Sequence, residues 1–308
     1  MLSGIGGGTA LVTGISGFTG HYMRAELVAR GCRVIGLAHS ATGTAEVLAC
    51  DLADAAAVRR TVLEVKPDFV VHLAAMSFVA QDDADAFYRV NVLGTMNLIE
   101  ALGALDAPPA KVLLASSANV YGTPNIEVID ESVCPAPVNH YACSKLAMEH
   151  MARTWFNRLP IILARPFNYT GPGQDERFLV PKIVGHYRRG ARSIQLGNLD
   201  VSRDFSDVRD VVTAYADLLE SDVRSATVNI CSGTDISLRE VLAMMSEIAG
   251  YEIEVQVNPA FVRTSEIPRL RGSNALLQDL VAVRPGIPFR DTLAAMYRAS
   301  ERGNASGH

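Results

Sequence analysis

The chain has 308 residues, of which 49% are hydrophobic and 20% are charged, and its formal net charge is −5. At ~150 residues per domain, this length predicts two domains or one large α/β unit with a cap, and the composition excludes extended disorder. The sequence has no basic stripe, and no apolar run reaches the ~18 residues of a membrane span. We therefore expect neither a nucleic-acid partner nor a membrane anchor.

The cysteines and the first residues predict a cytoplasmic protein. The five cysteines form no Cys-x-x-Cys pair, which is typical of reduced thiols. No basic residue precedes Arg24, so we expect no signal peptide. Cys134, His140 and Cys143 lie near one another, but their spacing matches no zinc pattern and a fourth ligand is missing, so we expect no metal site.

Short apolar, β-branched runs alternate with amphipathic stretches in the first half of the chain. The predicted strands are Ala10–Thr13, Arg33–Ala38, Glu46–Cys50, Phe69–Leu73, Val112–Ala115 and Ile161–Ala164. The predicted helices are Phe18–Arg30, Ala55–Val65, Ala84–Leu105 and His140–Arg158. Hydrophobicity in the strands is continuous rather than alternating, which indicates that both sheet faces are covered. The fold class is therefore α/β, with a doubly wound parallel sheet.

The alternation of predicted strands and helices becomes less regular after Arg165, where prolines and glycines interrupt the pattern. Further helices are predicted at Phe178–Arg189, Val208–Leu219, Leu238–Ala249 and Asp291–Ser300, and short strands at Thr227–Ile230 and Ile253–Val257. This pattern favours a smaller, mixed α/β region over residues 167–308, packed on the carboxyl ends of the sheet, from which a strand or helix could return to the first domain.

A glycine-rich loop joins the first strand to the first helix. It reads Gly14-Ile15-Ser16-Gly17-Phe18-Thr19-Gly20. Gly14 permits the tight turn, Gly17 lets the backbone approach a pyrophosphate at the helix N-terminus, and Gly20 allows close packing of helix on strand. Residues 1–166 are thus expected to form a Rossmann-like domain that binds a dinucleotide.

The second strand favours NADP as the dinucleotide. A typical NAD site has an acid at the end of this strand, whereas here the strand is followed by His39 and Ser40, which could bond to a 2′-phosphate. NAD remains the alternative. Asp51 and Leu52, after the third strand, are expected at the adenine.

Tyr141 and Lys145 form the main catalytic motif. Their i, i+4 spacing puts the phenol and the ammonium on one helix face. A neighbouring ammonium lowers the pKa of a phenol, so the pair is suited to proton exchange. Ser117 follows a strand at the carboxyl edge of the sheet, where ligands of α/β proteins bind.

These motifs together resemble the extended short-chain dehydrogenases/reductases that act on nucleotide sugars. The resemblance covers nearly the whole chain and includes the glycine loop, His72-Leu73-Ala74-Ala75, Asn91 to Thr95, Ser117, Tyr141 with Lys145, and Arg165 to Asn168. It implies that Ser117 binds the substrate oxygen, that Tyr141 is the acid/base, and that Lys145 holds the nicotinamide ribose and lowers the pKa of Tyr141.

The same resemblance implies several supporting contacts. Asn91 is similar to the asparagine that props the active-site helices, and Leu73, Ala74 and Ala75 correspond to cofactor contacts. His72 is expected to be a satisfied, buried histidine. A homodimer through the helices Ala84–Leu105 and His140–Arg158 is also implied.

Pieces of the second half resemble the GDP-sugar enzymes of this family, namely GDP-mannose 4,6-dehydratases and GDP-4-keto-6-deoxy-D-mannose reductases. Arg203 and Arg263 are suited to a diphosphate, and Glu266 could accept hydrogen bonds from a ribose diol. The expected substrate-binding residues are Ser77, Asn119, Asn168, Val180, Lys182, Leu196, Asn198, Arg203, Arg263 and Glu266.

Ala118 and Asn119 favour the reductase over the dehydratase. The dehydratases that this chain resembles carry a Glu at the second of these positions, which serves the elimination of water, and neither residue here can exchange a proton usefully. The expected reaction is therefore reduction of the C4 ketone by NADPH to give GDP-D-rhamnose. The alternatives are the C4 epimer GDP-6-deoxy-D-talose, a dehydratase or epimerase reaction, and, in a different class, a non-catalytic NADP-sensing protein.

Overall fold

The computed structural model describes residues 4–40, 44–77, 84–259, 269–282 and 284–299. Its strands are β1 Thr9–Thr13, β2 Arg33–Ala38, β3 Val47–Ala49, β4 Phe69–His72, β5 Lys111–Ala115, β6 Ile161–Pro166, β7 Asn168–Thr170, β8 Ser193–Leu196, β9 Ser202–Asp207, β10 Ala226–Ile230, β11 Asp235–Ser237, β12 Glu254–Val257 and β13 Arg269–Leu270. Its α-helices are α1 Phe18–Ala29, α2 Ala55–Val65, α3 Ala84–Tyr88, α4 Thr95–Gly103, α5 His140–Arg153, α6 Leu179–Arg188, α7 Val208–Glu220, α8 Leu238–Ala249, α9 Ala275–Leu280 and α10 Phe289–Arg298.

Seven strands form a parallel central sheet in the order β10-β6-β5-β4-β1-β2-β3. Successive residues of one strand enter opposite layers: Leu11 joins the core beneath α2, α4 and α5, and Val12 joins the core beneath α1 and α7. Burial of both faces explains the continuous hydrophobic runs. The predicted doubly wound α/β fold is confirmed.

The predicted helix Ala84–Leu105 is interrupted. A π-helical turn, Arg89–Gly94, separates α3 from α4. A π turn inserts an extra residue into the helix, and such turns occur frequently at functional sites. Here the turn contains Asn91, one of the expected active-site residues.

The second half of the chain builds a smaller unit and also completes the central sheet. In the smaller unit, β9 pairs with β7, β11 and β13, while β8 pairs with β12, and a separate hydrophobic core joins α6, α8 and α10. In contrast, β10 pairs with β6, and α7 packs against α1 on the central sheet. The chain therefore crosses back to the sheet after residue 167.

No helix in the part of the chain that the structure describes is long and apolar enough to cross a membrane.

Candidate active site

The predicted site residues gather where the parallel strands end. The glycine loop follows β1, Leu73 to Ser77 follow β4, Ser117 follows β5 and Asn168 follows β6. The carboxyl ends of these neighbouring strands meet at one edge, which is where ligands of open α/β sheets bind.

Two glycines of the loop, Gly14 and Gly20, lie where a side chain would collide with neighbouring backbone atoms. Gly14 has a φ of +70°, and a Cβ on it would lie 2.8 Å from the backbone nitrogen of Ala74. A Cβ on Gly20 would lie 2.3 Å from the carbonyl oxygen of Gly14, so α1 packs directly on the turn. Gly17 caps α1 without a side chain, and Ser16 beside it is exposed. The N–H groups at the start of α1 therefore suit an anionic group such as a pyrophosphate.

Two residues of the loop are engaged by an aromatic side chain from β7. The ring of Phe18 stacks on Tyr169, with centroids 6.4 Å apart, and the hydroxyls of Thr19 and Tyr169 lie 2.9 Å apart. Sequence reasoning missed Tyr169, although it directly follows Asn168.

The adenosine end of the candidate cofactor site is open. His39 and Ser40 are exposed just after β2 and lie at the same edge as the glycine loop. Asp51 is exposed after β3 and accepts a hydrogen bond from the backbone of Ala53, while Leu52 is buried under Gly94. β2 ends at Ala38 without an acid, as expected.

Tyr141 lies in the first turn of α5, half-buried, and its phenol interacts with the hydroxyl of Ser117. Asn139 caps this helix by accepting from the backbone N–H of Ala142, which fixes where the turn begins. The ring of Phe87 meets Tyr141 edge-on at 6.1 Å. Tyr141 and Ser117 are thus placed to share one substrate oxygen.

The expected lowering of the Tyr141 pKa by Lys145 is not seen. Burial raises the pKa of Tyr141 to about 12, and the hydrogen bond with Ser117 only partly opposes this. The ammonium of Lys145 donates instead to the carbonyl oxygen of Ala115, at 2.7 Å. Burial lowers the pKa of Lys145 to about 8, against the opposing charge of Glu149. A phenol with a raised pKa stays protonated, which suits a proton donor.

Asn91 joins the π turn to two other parts of the site. Its Oδ1 accepts from the backbone N–H of Met76 at 2.8 Å, and its Nδ2 donates to the carbonyl of Met76 and to Ser144 Oγ. Ser144 lies in α5 and donates to the carbonyl of Tyr141. Asn91 therefore positions α5 and the segment after β4 relative to each other.

His72 is buried and fully hydrogen-bonded, as the sequence predicted. Its Nε2 lies 2.8 Å from the hydroxyl of Thr95, which itself donates to the carbonyl of Asn91, so Nε2 carries the proton. Its Nδ1 accepts from the hydroxyl of Thr13 at 2.7 Å. Burial, and then the charge of Lys145, lower the pKa of His72 to about 3. The ring is neutral and structural.

A buried ion pair lies beneath the site and was missed by sequence reasoning. Glu149, in α5, accepts from Ser116, Arg165 and Arg153. Burial opposes its ionisation, but the hydrogen bonds and charge of Arg165 outweigh that effect and lower its pKa. The spacing could have identified Glu149 in the sequence, because it lies one helical turn after Lys145 and so on the same face of the predicted helix.

A recess of about 60 Å³ adjoins the candidate catalytic residues on the substrate side. It is lined by Ser117, Asn119, Asn168 and Leu270, among others. Asn119 and Asn168 are exposed, whereas Ala118 is buried. Among the described residues, the side chains that line this recess include no carboxylate.

The other predicted substrate residues differ in accessibility. Ser77 is exposed, and Asn198 and Arg203 are partly exposed. Lys182 donates to the carbonyl of Gln195. The side chains of Val180 and Leu196 are buried in the core of the smaller unit, so only their backbone groups are available for the predicted substrate contact. Arg263 and Glu266 lie outside the described residues.

Among the described residues, no group of three or more His, Cys, Asp and Glu side chains is arranged to hold a metal ion.

Comparison with known proteins places this geometry among nucleotide-sugar enzymes. A family model described as GDP-mannose 4,6 dehydratase matches residues 11–296. GDP-6-deoxy-D-talose 4-dehydrogenase of Aggregatibacter actinomycetemcomitans is 36% identical over 88% of this chain and 90% of its own length. GDP-6-deoxy-D-mannose reductase of Pseudomonas aeruginosa is 35% identical over 92% of this chain and 94% of its own length.

The chain is also similar to solved structures over nearly its whole length. A protein of Burkholderia cenocepacia J2315 described as a candidate epimerase is 50% identical, with a TM-score of 0.89 over 96% of this chain and 98% of its own. RMD from Pseudomonas aeruginosa, solved in complex with NADPH, is 33% identical, with a TM-score of 0.82 over 96% of this chain and 97% of its own.

Proposed function

The chain belongs to the GDP-mannose 4,6-dehydratase family of extended short-chain dehydrogenases/reductases, and we propose from this premise that it reduces the C4 ketone of GDP-4-keto-6-deoxy-D-mannose to GDP-D-rhamnose. The enzyme class predicted from the sequence, a nicotinamide-dependent oxidoreductase, is confirmed by this membership. The substrate, the product and the roles of individual residues are the proposal.

The observation that carries the proposal is the chemistry around Ser117. Asn119 opens into the recess where a dehydratase would need a proton-exchanging carboxylate, and Ala118 is buried. Elimination of water requires such a group, whereas reduction of a ketone requires hydride and one proton. Tyr141, whose pKa is raised, keeps that proton at neutral pH.

In the proposed reaction, Ser117 and Tyr141 both hydrogen-bond to the C4 carbonyl oxygen. NADPH, when bound, supplies the hydride that C4 accepts. As negative charge develops on the oxygen, Tyr141 donates its phenolic proton and the C4 hydroxyl forms. Lys145 would hold the ribose of the bound cofactor, and the phenolate left on Tyr141 then regains a proton from solvent.

The choice of NADPH rests on the residues that follow β2 and on the structure of one relative in complex with NADPH. The cradle at Gly14, Gly17 and Gly20 fits a pyrophosphate. No carboxylate at the end of β2 opposes a 2′-phosphate beside His39 and Ser40, and RMD from Pseudomonas aeruginosa was solved with NADPH. We assign Asp51 and Leu52 to the adenine and Leu73, Ala74 and Ala75 to the rest of the cofactor.

For the GDP moiety we propose Arg203 and Arg263 on the diphosphate and Glu266 on the ribose. We also propose a homodimer formed through α4 and α5. Leu93, an exposed apolar side chain beside α4, supports this face, and sedimentation velocity would measure the oligomeric state.

The C4 epimer is a second candidate product. GDP-6-deoxy-D-talose 4-dehydrogenase is as similar to the chain as the reductase is, at 36% and 35% identity. The two products differ only in the face of C4 that receives the hydride, and proton NMR of the product distinguishes them.

The test incubates the purified protein separately with GDP-mannose and with GDP-4-keto-6-deoxy-D-mannose. We expect GDP-mannose to remain unchanged, and the keto sugar to consume NADPH with formation of an equal amount of a 6-deoxyhexose. Formation of keto sugar from GDP-mannose would identify a dehydratase, and stable NADPH with the keto sugar would exclude the reductase. A higher kcat/KM with NADH than with NADPH would overturn the choice of cofactor.

A further inference from the structure

We propose that Glu149 is a positioning residue which, through Ser116, sets the separation between Ser117 and Tyr141. The inference rests on the proposed function for the identity of the two reacting groups. Glu149 itself does not touch the recess and is completely buried.

Two contacts between β5 and α5 lie side by side. At the end of β5, the carbonyl of Ala115 accepts from Lys145 at 2.7 Å, and the hydroxyl of the next residue, Ser116, donates to Glu149 at 2.6 Å. Lys145 and Glu149 are one helical turn apart, about 6 Å along α5. Core packing and Asn91 already hold α5 on the sheet, and these two contacts, a turn apart, add a direct polar link between β5 and α5 at the level of the site.

The proposed reacting groups extend directly from these contacts. Ser117 follows Ser116 in extended backbone, with a φ of −161°. Tyr141 lies one turn before Lys145 on the same side of α5. A small shift of α5 relative to β5 would therefore change the distance between Ser117 and Tyr141, by up to the length of the shift.

Glu149 is held independently of Ser116. Both of its carboxylate oxygens accept from Arg165, at 2.9 and 2.6 Å, and Arg153 contributes a third bond at 3.0 Å. Arg165 is also buried and belongs to β6. Removing the Ser116 hydroxyl would therefore leave the carboxylate paired, so the variant tests position without leaving a bare buried charge.

Lys145 cannot provide this positioning alone. In the proposed function Lys145 also binds the ribose of the cofactor, so its N–H donors are shared between that ribose and the carbonyl of Ala115. Ser116 and Glu149 have no task in the proposed reaction, so their contact is not divided in this way.

The experiment compares Ser116→Ala with Thr292→Val. Thr292 matches Ser116, because it is fully buried and its hydroxyl donates at 2.7 Å to Asp207, a carboxylate also paired with an arginine, but it lies in α10, which contributes no residue to the recess beside Ser117. We expect both variants to lose similar thermal stability. In Ser116→Ala, kcat should fall by about 10- to 100-fold, the scale of a sub-ångström to 1 Å misplacement, with KM within about twofold. In Thr292→Val, both constants should stay within about twofold of the wild type.

An unchanged kcat in Ser116→Ala, or an equal fall in Thr292→Val, would overturn the inference. Wild-type protein that turns over a different nucleotide sugar would refute the proposed function alone, and the variants would then be compared on that reaction. Crystal structures of wild type and Ser116→Ala provide a test that needs no substrate. The distance between Ser117 Oγ and the Tyr141 hydroxyl should increase in the variant, and an unchanged distance would refute the positioning role.

Discussion

Tyr141 is a protonated phenol that lies near Ser117 and one helical turn before Lys145. Burial raises its pKa to about 12, while Ser117 accepts or donates beside it. A reductase requires the protonated phenol in its resting state, which a pKa of ~10 or higher provides at neutral pH. The ion that develops during the reaction then needs the ammonium of Lys145, which lies one turn along α5.

Removing this hydroxyl should affect the chemical step alone. In Tyr141→Phe we expect kcat to fall by about 10²- to 10⁴-fold, the usual contribution of general acid catalysis. NADPH binding, followed by fluorescence titration, should persist, because the ring and its contact with Phe87 remain. Near-normal turnover in this variant would show that another group donates the proton.

Among the elements, α1 has a steric requirement that is set by backbone atoms. A Cβ on Gly20 would come within 2.6 Å of two backbone carbonyl oxygens, those of Gly14 and Ile15. Backbone atoms cannot rotate away as a side chain can, so α1 itself would have to move. The N–H groups at its start would then leave the place where a pyrophosphate binds.

We therefore expect Gly20→Ala to cost about 1–3 kcal/mol through overpacking, and to weaken NADPH binding by about tenfold or more. Gly286→Ala is the matched control. Its Cβ would meet only Asp210, at 3.5 Å, which is ordinary contact. Isothermal titration calorimetry measures both variants, and equal NADPH affinity in wild type and Gly20→Ala would contradict the close packing.

Sequence periodicity was sufficient for the regular elements but not for their interruptions. Continuous apolar runs located the strands of the central sheet, and the glycine spacing located the turn after β1. The π turn around Asn91 carries no proline or glycine signal at its start, because the extra residue is accommodated by tertiary contacts with Met76 and Ser144. A single-sequence pattern does not contain such contacts.

The electrostatics of the site were equally beyond the sequence. The spacing of Tyr141 and Lys145 correctly put them on one helix, and this suggested a lowered phenol pKa. The side-chain directions decide otherwise, because Lys145 turns to the end of β5 and burial dominates at Tyr141. Val180 and Leu196 illustrate the same limit, since they were expected to bind substrate and their side chains fill a core.

At the scale of the whole molecule, His72 links the site to acid stability. Its pKa is about 3 in the folded chain, against ~6.5 in an unfolded one. Between these values the unfolded chain binds a proton that the folded chain does not, so stability falls as the pH decreases from 6.5 towards 3. At pH 5 this amounts to about 2 kcal/mol.

In His72→Gln, urea unfolding should therefore show a smaller loss between pH 7 and pH 5 than in wild type, by about 2 kcal/mol. The variant serves as its own reference, because lost hydrogen bonds lower its stability at both pH values. Equal losses in the two proteins would mean that carboxylates alone determine acid unfolding.

The return of β10 and α7 to the central sheet has a consequence for synthesis on the ribosome. When the first 166 residues have emerged, β6 is an unpaired edge, and the apolar side chains that α7 later covers face water. The seven-stranded sheet is complete only after residue 230, the last residue of β10, has emerged. The first half of the chain therefore cannot complete its sheet before part of the second half has been translated, so the two halves do not fold as independent cassettes.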